Sequence, residues 1–417
     1  MGENIIFVTI DSLRADHCGH HGYNRETTPT LDQMASEGLV FENAIAPGPR
    51  TPDSLPAIFT GYRPIPDDQR IESEREVISN HLNRHTTLAE HFSKKGYDTA
   101  GFTPNPYTSR YFNFDTGFHH YQDFMDEDRS RRLFERILEG GSLPSVALRL
   151  LLSGIQRENV FKPWEAYYNE ILEWIESASE PYFLWVFLMD CHIPYLANSE
   201  TRTQSRLNSY YANLRWYWED KDERFPDQDH DRLVTAYDDS IRYSDAFLNQ
   251  LSSDISDASF VVTADHGESF FEHGRYGHPP ECLYEENINV PLVVYDGSTE
   301  GSVSKPVSIS DLGNLLNSIS EGTPKMSSPN TIVSHPLGGD KVAVRGDKWK
   351  YISKSVSNGS DTAEVYNLLD NPDETNNIAE TESQLSEIGQ SICARRSSQE
   401  REREMIRQVV MDNNLQV

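Results

Sequence analysis

The sequence has little positive charge and very little lysine. Its 417 residues carry 66 acidic and 37 basic side chains, only 10 of them lysines, and the formal net charge is −29 at pH 7. Such a surface repels phosphate backbones and anionic headgroups, which disfavours nucleic acid or an anionic membrane as a partner. An acidic, lysine-poor surface also keeps its water in concentrated salt, where the Debye length is only ~3 Å at 1 M. We therefore expect a protein from a halophile's cytoplasm, with a merely acidic mesophilic protein as the alternative.

Long apolar runs and paired cysteines are also missing. The longest apolar stretch, near 143–152, is far shorter than the ~20 residues that span a bilayer, and it contains Arg149. The first strand pattern begins at Asn4, which leaves no room for a signal peptide. Four cysteines without paired spacing indicate reduced thiols. These absences predict a cytoplasmic protein without stable membrane insertion, and they leave the oligomeric state open.

Residues with metal-ligand chemistry follow two strand-like segments that lie far apart in the chain. Asn4–Ile10 is a near-continuous apolar run that leads into Asp11, and the run 259–262 is soon followed by Asp265 and His266. If both segments are neighbouring strands of one parallel sheet, their carboxyl ends meet at the edge where open α/β sheets bind ligands. Two carboxylates and an imidazole would then converge on a cation. The alternative is that each polar residue only caps its strand or loop.

A third segment supplies hydroxyl groups that could attack an ester. Prolines and a glycine between 47 and 56 predict a stiff entry to a short helix that Gly61 closes, with Thr51 and Ser54 near its start. A hydroxyl there lies at the positive end of the helix macrodipole, which favours alkoxide formation and binding of an anionic ester. The alternative is that both residues are only capping residues.

Further motifs follow one another along the chain. They are IDSLRADH (10–17), TTPTLD (27–32), FTGYRP (59–64), TLAE (87–90), GYDTAGF (96–102), DCHIPY (190–195), DHGE (265–268), VPL (290–292), WKYI (349–352) and EVYNL (364–368). Their order and spacing resemble the sulfatase family of the alkaline phosphatase superfamily almost end to end. Several ordered motifs are far more specific than any one of them.

The resemblance implies an α/β fold in which helices flank a mostly parallel, doubly wound sheet, together with a small C-terminal α+β subdomain. We expect a catalytic domain over residues 3–330, with helical inserts near 126–180 and 196–231. Residues 331–417 should form the small subdomain and an acidic helical tail. The inserts are rich in aromatic residues, most of which should pack helices. Any that line the cleft would select a sugar, nucleoside or aryl leaving group.

One position departs from the family pattern. Typical members carry Cys-x-Pro-x-Arg, whose cysteine, or serine in some members, becomes formylglycine; counting back from Thr60 and Gly61 places Thr51 there and Leu55 at the arginine. We therefore expect no formylglycine. A threonine at this place resembles the branches in which a hydroxyl attacks phosphorus. A phosphothreonine can be cleaved by metal-assisted attack of water or an alcohol, whereas a sulfated threonine lacks the exit that a formylglycine hydrate has.

The resemblance also implies a metal site. Asp11, Asp265 and His266, together with the Thr51 oxygen, should hold one divalent cation. The imidazole ligand favours manganese or zinc, with calcium as an alternative by family analogy. In a two-metal variant, Asp190, His192 or His278 would become ligands instead of substrate contacts.

The remaining assignments concern the substrate. Thr51, His192 and His278 are the expected catalytic residues, with the two histidines binding the oxyanion or protonating the leaving group. Asn105 and Ser54 are the expected substrate-binding residues. The predicted function is hydrolysis of phosphate or sulfate esters, phosphorus esters favoured, in an anionic small molecule or glycan. The alternatives are a transferase that passes a phospho-group to a glycan or lipid acceptor, and a non-catalytic sulfatase-like binding protein.

Overall fold

A computed structural model describes residues 2–66, 73–124, 162–353 and 363–412. The strands are β1 (Asn4–Ile10), β2 (Leu39–Phe41), β3 (Ala44–Ile45), β4 (Asp98–Phe102), β5 (His120–Gln122), β6 (Tyr182–Leu188), β7 (Ala258–Ala264), β8 (Ser269–Phe270), β9 (Tyr276–Gly277), β10 (Asn289–Val290), β11 (Leu292–Tyr295), β12 (Gly301–Val303), β13 (Val307–Ser308), β14 (Ile332–Ser334), β15 (Ala343–Arg345), β16 (Trp349–Ile352) and β17 (Glu364–Asn367). The α-helices are α1 (Pro29–Glu37), α2 (Thr51–Thr60), α3 (Glu74–Arg84), α4 (Leu88–Lys94), α5 (Tyr168–Ser177), α6 (Arg206–Trp218), α7 (Asp227–Asp254), α8 (Glu285–Ile288), α9 (Leu312–Ser320) and α10 (Ser383–Asp412). Short 3-10 helices span Ala15–His17, Gly19–His21, Pro106–Thr108, Arg110–Phe112, Trp164–Ala166 and Ile309–Asp311.

Eight strands form the central sheet in the order β12-β2-β11-β7-β1-β6-β4-β5. Their pairings are parallel except for those of β11, which runs antiparallel to β7 and β2. Every residue of β1 and β6 is buried, as is all of β7 except its first residue. Parallel strands covered on both faces are continuous apolar runs, which is why these segments do not alternate. The predicted mostly parallel α/β sheet flanked by helices is confirmed.

The register of the three central strands decides where the polar residues lie. Ile10 at the end of β1 pairs with Ala264 of β7 on one side and with Leu188 of β6 on the other. Asp11 and Asp265 each come next in the chain, so they leave the sheet side by side at its carboxyl edge. The Asp11 N–H continues the ladder by donating to the Leu188 carbonyl at 2.8 Å. The two segments that are distant in sequence therefore meet as neighbours.

Helix α2 begins at Thr51 and ends at Thr60, where Gly61 caps it, as its prolines and glycine predict. Pro52 occupies the first turn, where its missing N–H is not needed, and Gly61 takes a left-handed conformation with φ of 75°. The Asp53 side chain, in the first turn, accepts two hydrogen bonds from Arg50 and one from the Leu337 N–H. These contacts hold the start of the helix, and therefore Thr51, in one position.

The C-terminal subdomain contains a four-stranded antiparallel sheet, β14-β15-β16-β17, with the long helix α10 packed against it. The boundary near residue 330 stays a prediction. Of the insert expected at 126–180, residues 126–161 lie outside the described part, including the apolar stretch 143–152, and the rest contains α5. The insert expected at 196–231 contains α6 and the start of α7.

All four cysteines are free thiols. Among the described ranges, no helix combines the length and the apolar character that crossing a bilayer requires.

A buried group of charges connects the C-terminal sheet to α8. Lys350 on β16 is fully buried, and its ammonium lies 3.1 Å from a Glu285 oxygen and 2.9 Å from a Glu374 oxygen. Burying such a group is costly unless every charge keeps its partner.

We expect Lys350→Met to lower the free energy of unfolding by about 3 kcal/mol, because it leaves the buried Glu374 carboxylate without its cation and the partly buried Glu285 with Arg345 alone. Guanidinium unfolding of the purified variant measures this loss. Lys348→Met, on an exposed lysine two residues earlier, is the matched control and should stay within about 0.5 kcal/mol of wild type. Equal losses in both variants would contradict a specific role for the buried ammonium.

Candidate active site

Two carboxylates and one imidazole meet at the carboxyl edge of the central sheet. Asp11, Asp265 and His266 each offer one ligand atom within 4.8 Å of the others, and all three residues are completely buried. The His266 Nε2 atom lies 3.6 Å from Asp11 Oδ1 and 3.6 Å from Asp265 Oδ2. The structure thus brings together the three residues that the sequence singled out on two separate strands.

Hydrogen bonding orients the His266 ring. Its Nδ1 lies 2.8 Å from the Gly267 carbonyl oxygen, which can only accept, so Nδ1 carries the proton. Burial, together with the charge on His278, lowers the pKa of His266 well below its usual value. The ring is therefore neutral, and the lone pair on Nε2 is directed at the two carboxylates. This is the tautomer and orientation of a metal-ligating histidine.

The described residues supply only part of the hydrogen bonding that the two buried carboxylates need. Asp265 Oδ1 accepts hydrogen bonds from the backbone N–H groups of Ser12 and His266, at 3.2 and 3.0 Å. Its Oδ2 is buried and has no hydrogen-bond partner among the described residues. Burial raises the pKa of Asp265 to about 6, and burial together with the charge of Asp265 raises the pKa of Asp11. Two adjacent buried carboxylates with an orphaned oxygen fit a bound cation, whose charge would offset their repulsion.

Thr51, the first residue of α2, adds a hydroxyl to this cluster. Its Oγ1 lies 3.4 Å from His266 Nε2, and the residue is only 5% exposed. The hydroxyl therefore sits at the positive end of a ten-residue helix. The neighbouring Arg50 is close enough for its positive charge to disfavour protonation of both His266 and His278. Positive potential of this kind suits an anionic substrate.

Two further histidines border the cluster. The His278 ring centroid is 4.6 Å from that of His266 and 5.3 Å from that of His192. Burial opposes a charge on His278, but its hydrogen bond to Glu268 and the nearby carboxylates outweigh burial and raise the pKa of His278. Burial and the charge on His278 lower the pKa of His192 to about 4. The surroundings therefore shift the pKa values of the two rings in opposite directions.

Glu268 and Tyr195 belong to this site, although the sequence analysis assigned them no role. His278 Nδ1 lies 3.2 Å from both Glu268 oxygens, and the Tyr195 hydroxyl donates to Glu268 at 3.1 Å. The ten-residue separation of Glu268 and His278 matches no helix or strand period. They meet because β8 and β9 form a hairpin that pairs Ser269 with Gly277, which places the flanking residues opposite each other. In the sequence, the glycines at 274 and 277 were the feature from which this hairpin could have been predicted.

Of the two expected substrate-binding residues, Asn105 contacts the cluster and Ser54 contacts the loop before Thr51. The Asn105 Nδ2 group donates to Asp11 Oδ2 at 2.9 Å, so this side chain reaches the cluster and supports a carboxylate there. Ser54 is completely buried, and its hydroxyl donates to the Gly48 carbonyl at 2.8 Å and accepts from the Gly48 N–H at 3.2 Å. The Ser54 hydroxyl thus holds the loop before Thr51, and its expected role in substrate binding stays a prediction.

A single cluster with metal-ligand geometry occurs among the residues that the structure describes. His192, whose Nδ1 lies 2.7 Å from the Ile193 carbonyl oxygen, is not part of it, nor are Asp190 and His278. The two-metal variant therefore gains no support from the geometry, and a one-cation site is the simpler interpretation.

Comparison with known proteins agrees with this fold. The sulfatase family model matches residues 3–317. The chain is 26% identical to an arylsulfatase of Clostridium perfringens over 71% of this chain and 69% of that protein. It is 22% identical to human iduronate 2-sulfatase over 70% of this chain, but the match spans only 59% of that relative's length.

Solved structures share the fold at much lower sequence identity. A phosphonate monoester hydrolase of Agrobacterium radiobacter superimposes with a TM-score of 0.65 at 14% identity, covering 95% of each chain. The matched family model covers the whole central sheet and every member of the cluster around Thr51. The chain therefore belongs to the sulfatase family of hydrolases in the alkaline phosphatase superfamily.

Proposed function

We propose that this protein is a metal-dependent hydrolase that cleaves phosphate esters with Thr51 as its nucleophile. The observation that carries the proposal is the position of the Thr51 hydroxyl, buried at a helix N-terminus 3.4 Å from the unprotonated Nε2 of His266. A hydroxyl with only a capping role would have no reason to face a metal-ligand cluster. The anionic substrate would enter beside Arg50.

Asp11, Asp265, His266 and Thr51 would hold the cation, with manganese or zinc favoured over calcium because one donor is an imidazole. When bound, the cation supplies positive charge that lowers the pKa of the Thr51 hydroxyl and binds a substrate oxygen. The unpartnered Asp265 Oδ2 supports this assignment, as does His266, whose proton on Nδ1 leaves the Nε2 lone pair directed at Thr51 and the two carboxylates.

The reaction then proceeds in two displacements. Thr51 Oγ1 attacks phosphorus, a P–Oγ bond forms, and the bond from phosphorus to the leaving oxygen breaks. His278, held by Glu268, donates a proton to that leaving oxygen, and His192 stays neutral beside it. Water then attacks the phosphothreonine and returns a proton to His278, the P–Oγ bond breaks, and the departing Thr51 oxygen takes back the proton that its hydroxyl released to solvent before the first attack.

Phosphorus is favoured over sulfur by the chemistry of Thr51. Release of sulfate from a sulfothreonine needs a second attack at sulfur, whereas formylglycine releases it by re-forming an aldehyde. The names of the relatives do not decide the matter, because they include sulfatases as well as the phosphonate monoester hydrolase. Substrate class is set by the site and not by the fold.

We expect wild-type protein with added manganese or zinc to release p-nitrophenol from phosphate or phosphonate esters, and not from the matching sulfate ester. Rates on the p-nitrophenyl phosphate, phenylphosphonate, bis-phosphate and sulfate esters, measured in high salt, test this directly. Added alcohols separate the alternatives, since a transferase would divert the phospho-group from water to the alcohol. Release from the sulfate ester alone would contradict the preference for phosphorus.

A further inference from the structure

A buried tyrosine hydroxyl contacts the carboxylate that holds His278. The Tyr195 hydroxyl donates to Glu268 Oε2 at 3.1 Å, and His278 Nδ1 lies 3.2 Å from both Glu268 oxygens. Tyr195 and Glu268 are each only 1% exposed. Among the described residues, no third group hydrogen-bonds to this carboxylate. Tyr195 therefore supplies the one hydrogen bond that Glu268 receives besides that of His278.

The Tyr195 hydroxyl keeps the proton that it donates. Burial and the charge of Glu268 raise the pKa of Tyr195 well above its usual value. A buried carboxylate depends on such donors, because water does not reach it and an unpaired charge in the interior is costly. Loss of this hydroxyl would leave His278 as the only described partner of Glu268.

The surrounding chain fixes both partners of the Tyr195–Glu268 bond. The Asn213 side chain of α6 accepts from the Tyr195 N–H at 2.8 Å and donates to the Tyr195 carbonyl at 3.0 Å. The ring of Tyr195 meets that of Tyr237 edge to face, with centroids 5.3 Å apart. The Glu268 main chain is held as well, since its carbonyl accepts from Arg14 Nη1 at 3.0 Å. Rigid support of this kind suits a residue that orients another.

The contact with Glu268 decides which nitrogen of His278 can reach a substrate. A carboxylate accepts hydrogen bonds, so the His278 Nδ1 atom donates its proton to Glu268 and Nε2 is the nitrogen left for the leaving oxygen. If the Glu268 carboxylate rotated, the His278 ring would turn with it. A misplacement of about 1 Å can lower a rate about a hundredfold.

We propose that Tyr195 is a positioning residue, which holds Glu268 so that His278 delivers its proton to the leaving oxygen. This inference rests on the proposed function and adds a residue to its first displacement. Tyr195 acts through Glu268. The alternative is that the hydroxyl only satisfies a buried carboxylate and has no effect on the reaction. Leaving groups distinguish the two roles, because an alkoxide needs a proton to depart whereas p-nitrophenolate departs without one.

The test compares wild type, Tyr195→Phe and Tyr168→Phe on methyl phosphate and p-nitrophenyl phosphate. We expect Tyr195→Phe to lower kcat/KM about tenfold on methyl phosphate and to leave it within about twofold on p-nitrophenyl phosphate. Tyr168→Phe is the matched control, since it removes another buried hydroxyl that donates to a carboxylate, that of Asp254 at 2.6 Å. It should leave both values within about twofold. Equal losses on both esters in Tyr195→Phe, or no loss on either, would overturn the proposal.

A double-mutant cycle tests whether Tyr195 acts through Glu268. Glu268→Gln should itself lower the ratio of kcat/KM on methyl phosphate to kcat/KM on p-nitrophenyl phosphate. Adding Tyr195→Phe to this variant should then change the ratio by less than about twofold, because the two residues belong to one chain of contacts. A further tenfold loss in the double variant would show that Tyr195 acts independently of Glu268.

Failure of the proposed function is a separate outcome. If wild type cleaves only sulfate esters, the preference for phosphorus is overturned, and the same ratio on methyl sulfate and p-nitrophenyl sulfate tests Tyr195. If it cleaves neither class, the proposed function fails. The proton NMR resonance of His278 Nδ1–H, identified by its loss in His278→Gln, then decides. A shift of this resonance in Tyr195→Phe but not in Tyr168→Phe supports the positioning role, and an unchanged resonance overturns it.

Discussion

Replacing Thr51 with alanine is expected to reduce turnover by about a thousandfold or more, because the covalent route is lost with the nucleophile. Alanine preserves the helix and adds no bulk at this buried position. The cation should still bind through Asp11, Asp265 and His266, although with lower affinity, because one oxygen donor is missing. Activity and cation content of the same preparation measure the two effects separately.

Two neighbouring variants make this experiment specific. Thr51→Ser keeps the hydroxyl and should retain measurable activity. Ser54→Ala removes a hydroxyl three residues further along the same helix, one that bonds to Gly48, and should leave the chemical step intact. Normal activity in Thr51→Ala, with loss in Ser54→Ala, would show that the wrong hydroxyl has been assigned.

The second large effect is expected from Asp265→Asn, which should reduce the bound cation from about one per chain to near zero and abolish cation-dependent activity. Wild type should gain about 2.7 kcal/mol of stability from a cation at 100 times its Kd, and the variant should lose this gain. Without any cation, Asp265→Asn should be more stable than wild type. The variant then unfolds at a higher temperature, because one of two adjacent buried carboxylates has become neutral.

Thermal unfolding with and without chelator measures the stability difference between Asp265→Asn and wild type in the presence and in the absence of the cation. Elemental analysis gives the cation content. Asp257→Asn is the matched control, since Asp257 is exposed just before the opposite end of the same strand, β7. It should behave like wild type in both conditions. An Asp265→Asn protein that keeps its cation and its cation-dependent stability would exclude the proposed ligand set.

Much of the framework follows from local patterns. Continuous apolar runs predicted β1 and β7, and the proline and glycine positions predicted the start and end of α2, because these features depend on residues close in the chain. The polar residues Asp11 and Asp265 were placed at strand ends for the same reason. The hydrogen bonds of Ser54 to Gly48 could not be predicted, because they depend on a loop conformation that no sequence period encodes.

The sequence by itself determined the family, the fold class and the residue types available for chemistry, because ordered motifs and apolar periodicity are properties of the chain. The tertiary structure decided which of these residues lie beside one another. The parallel register of β1 and β7 sets Asp11 beside Asp265, and the β8–β9 hairpin sets Glu268 against His278. The hydrogen bond from Tyr195 adds a third segment to this pair. Such contacts arise from strand register and side-chain packing between distant segments, and neither leaves a periodic signal in the sequence.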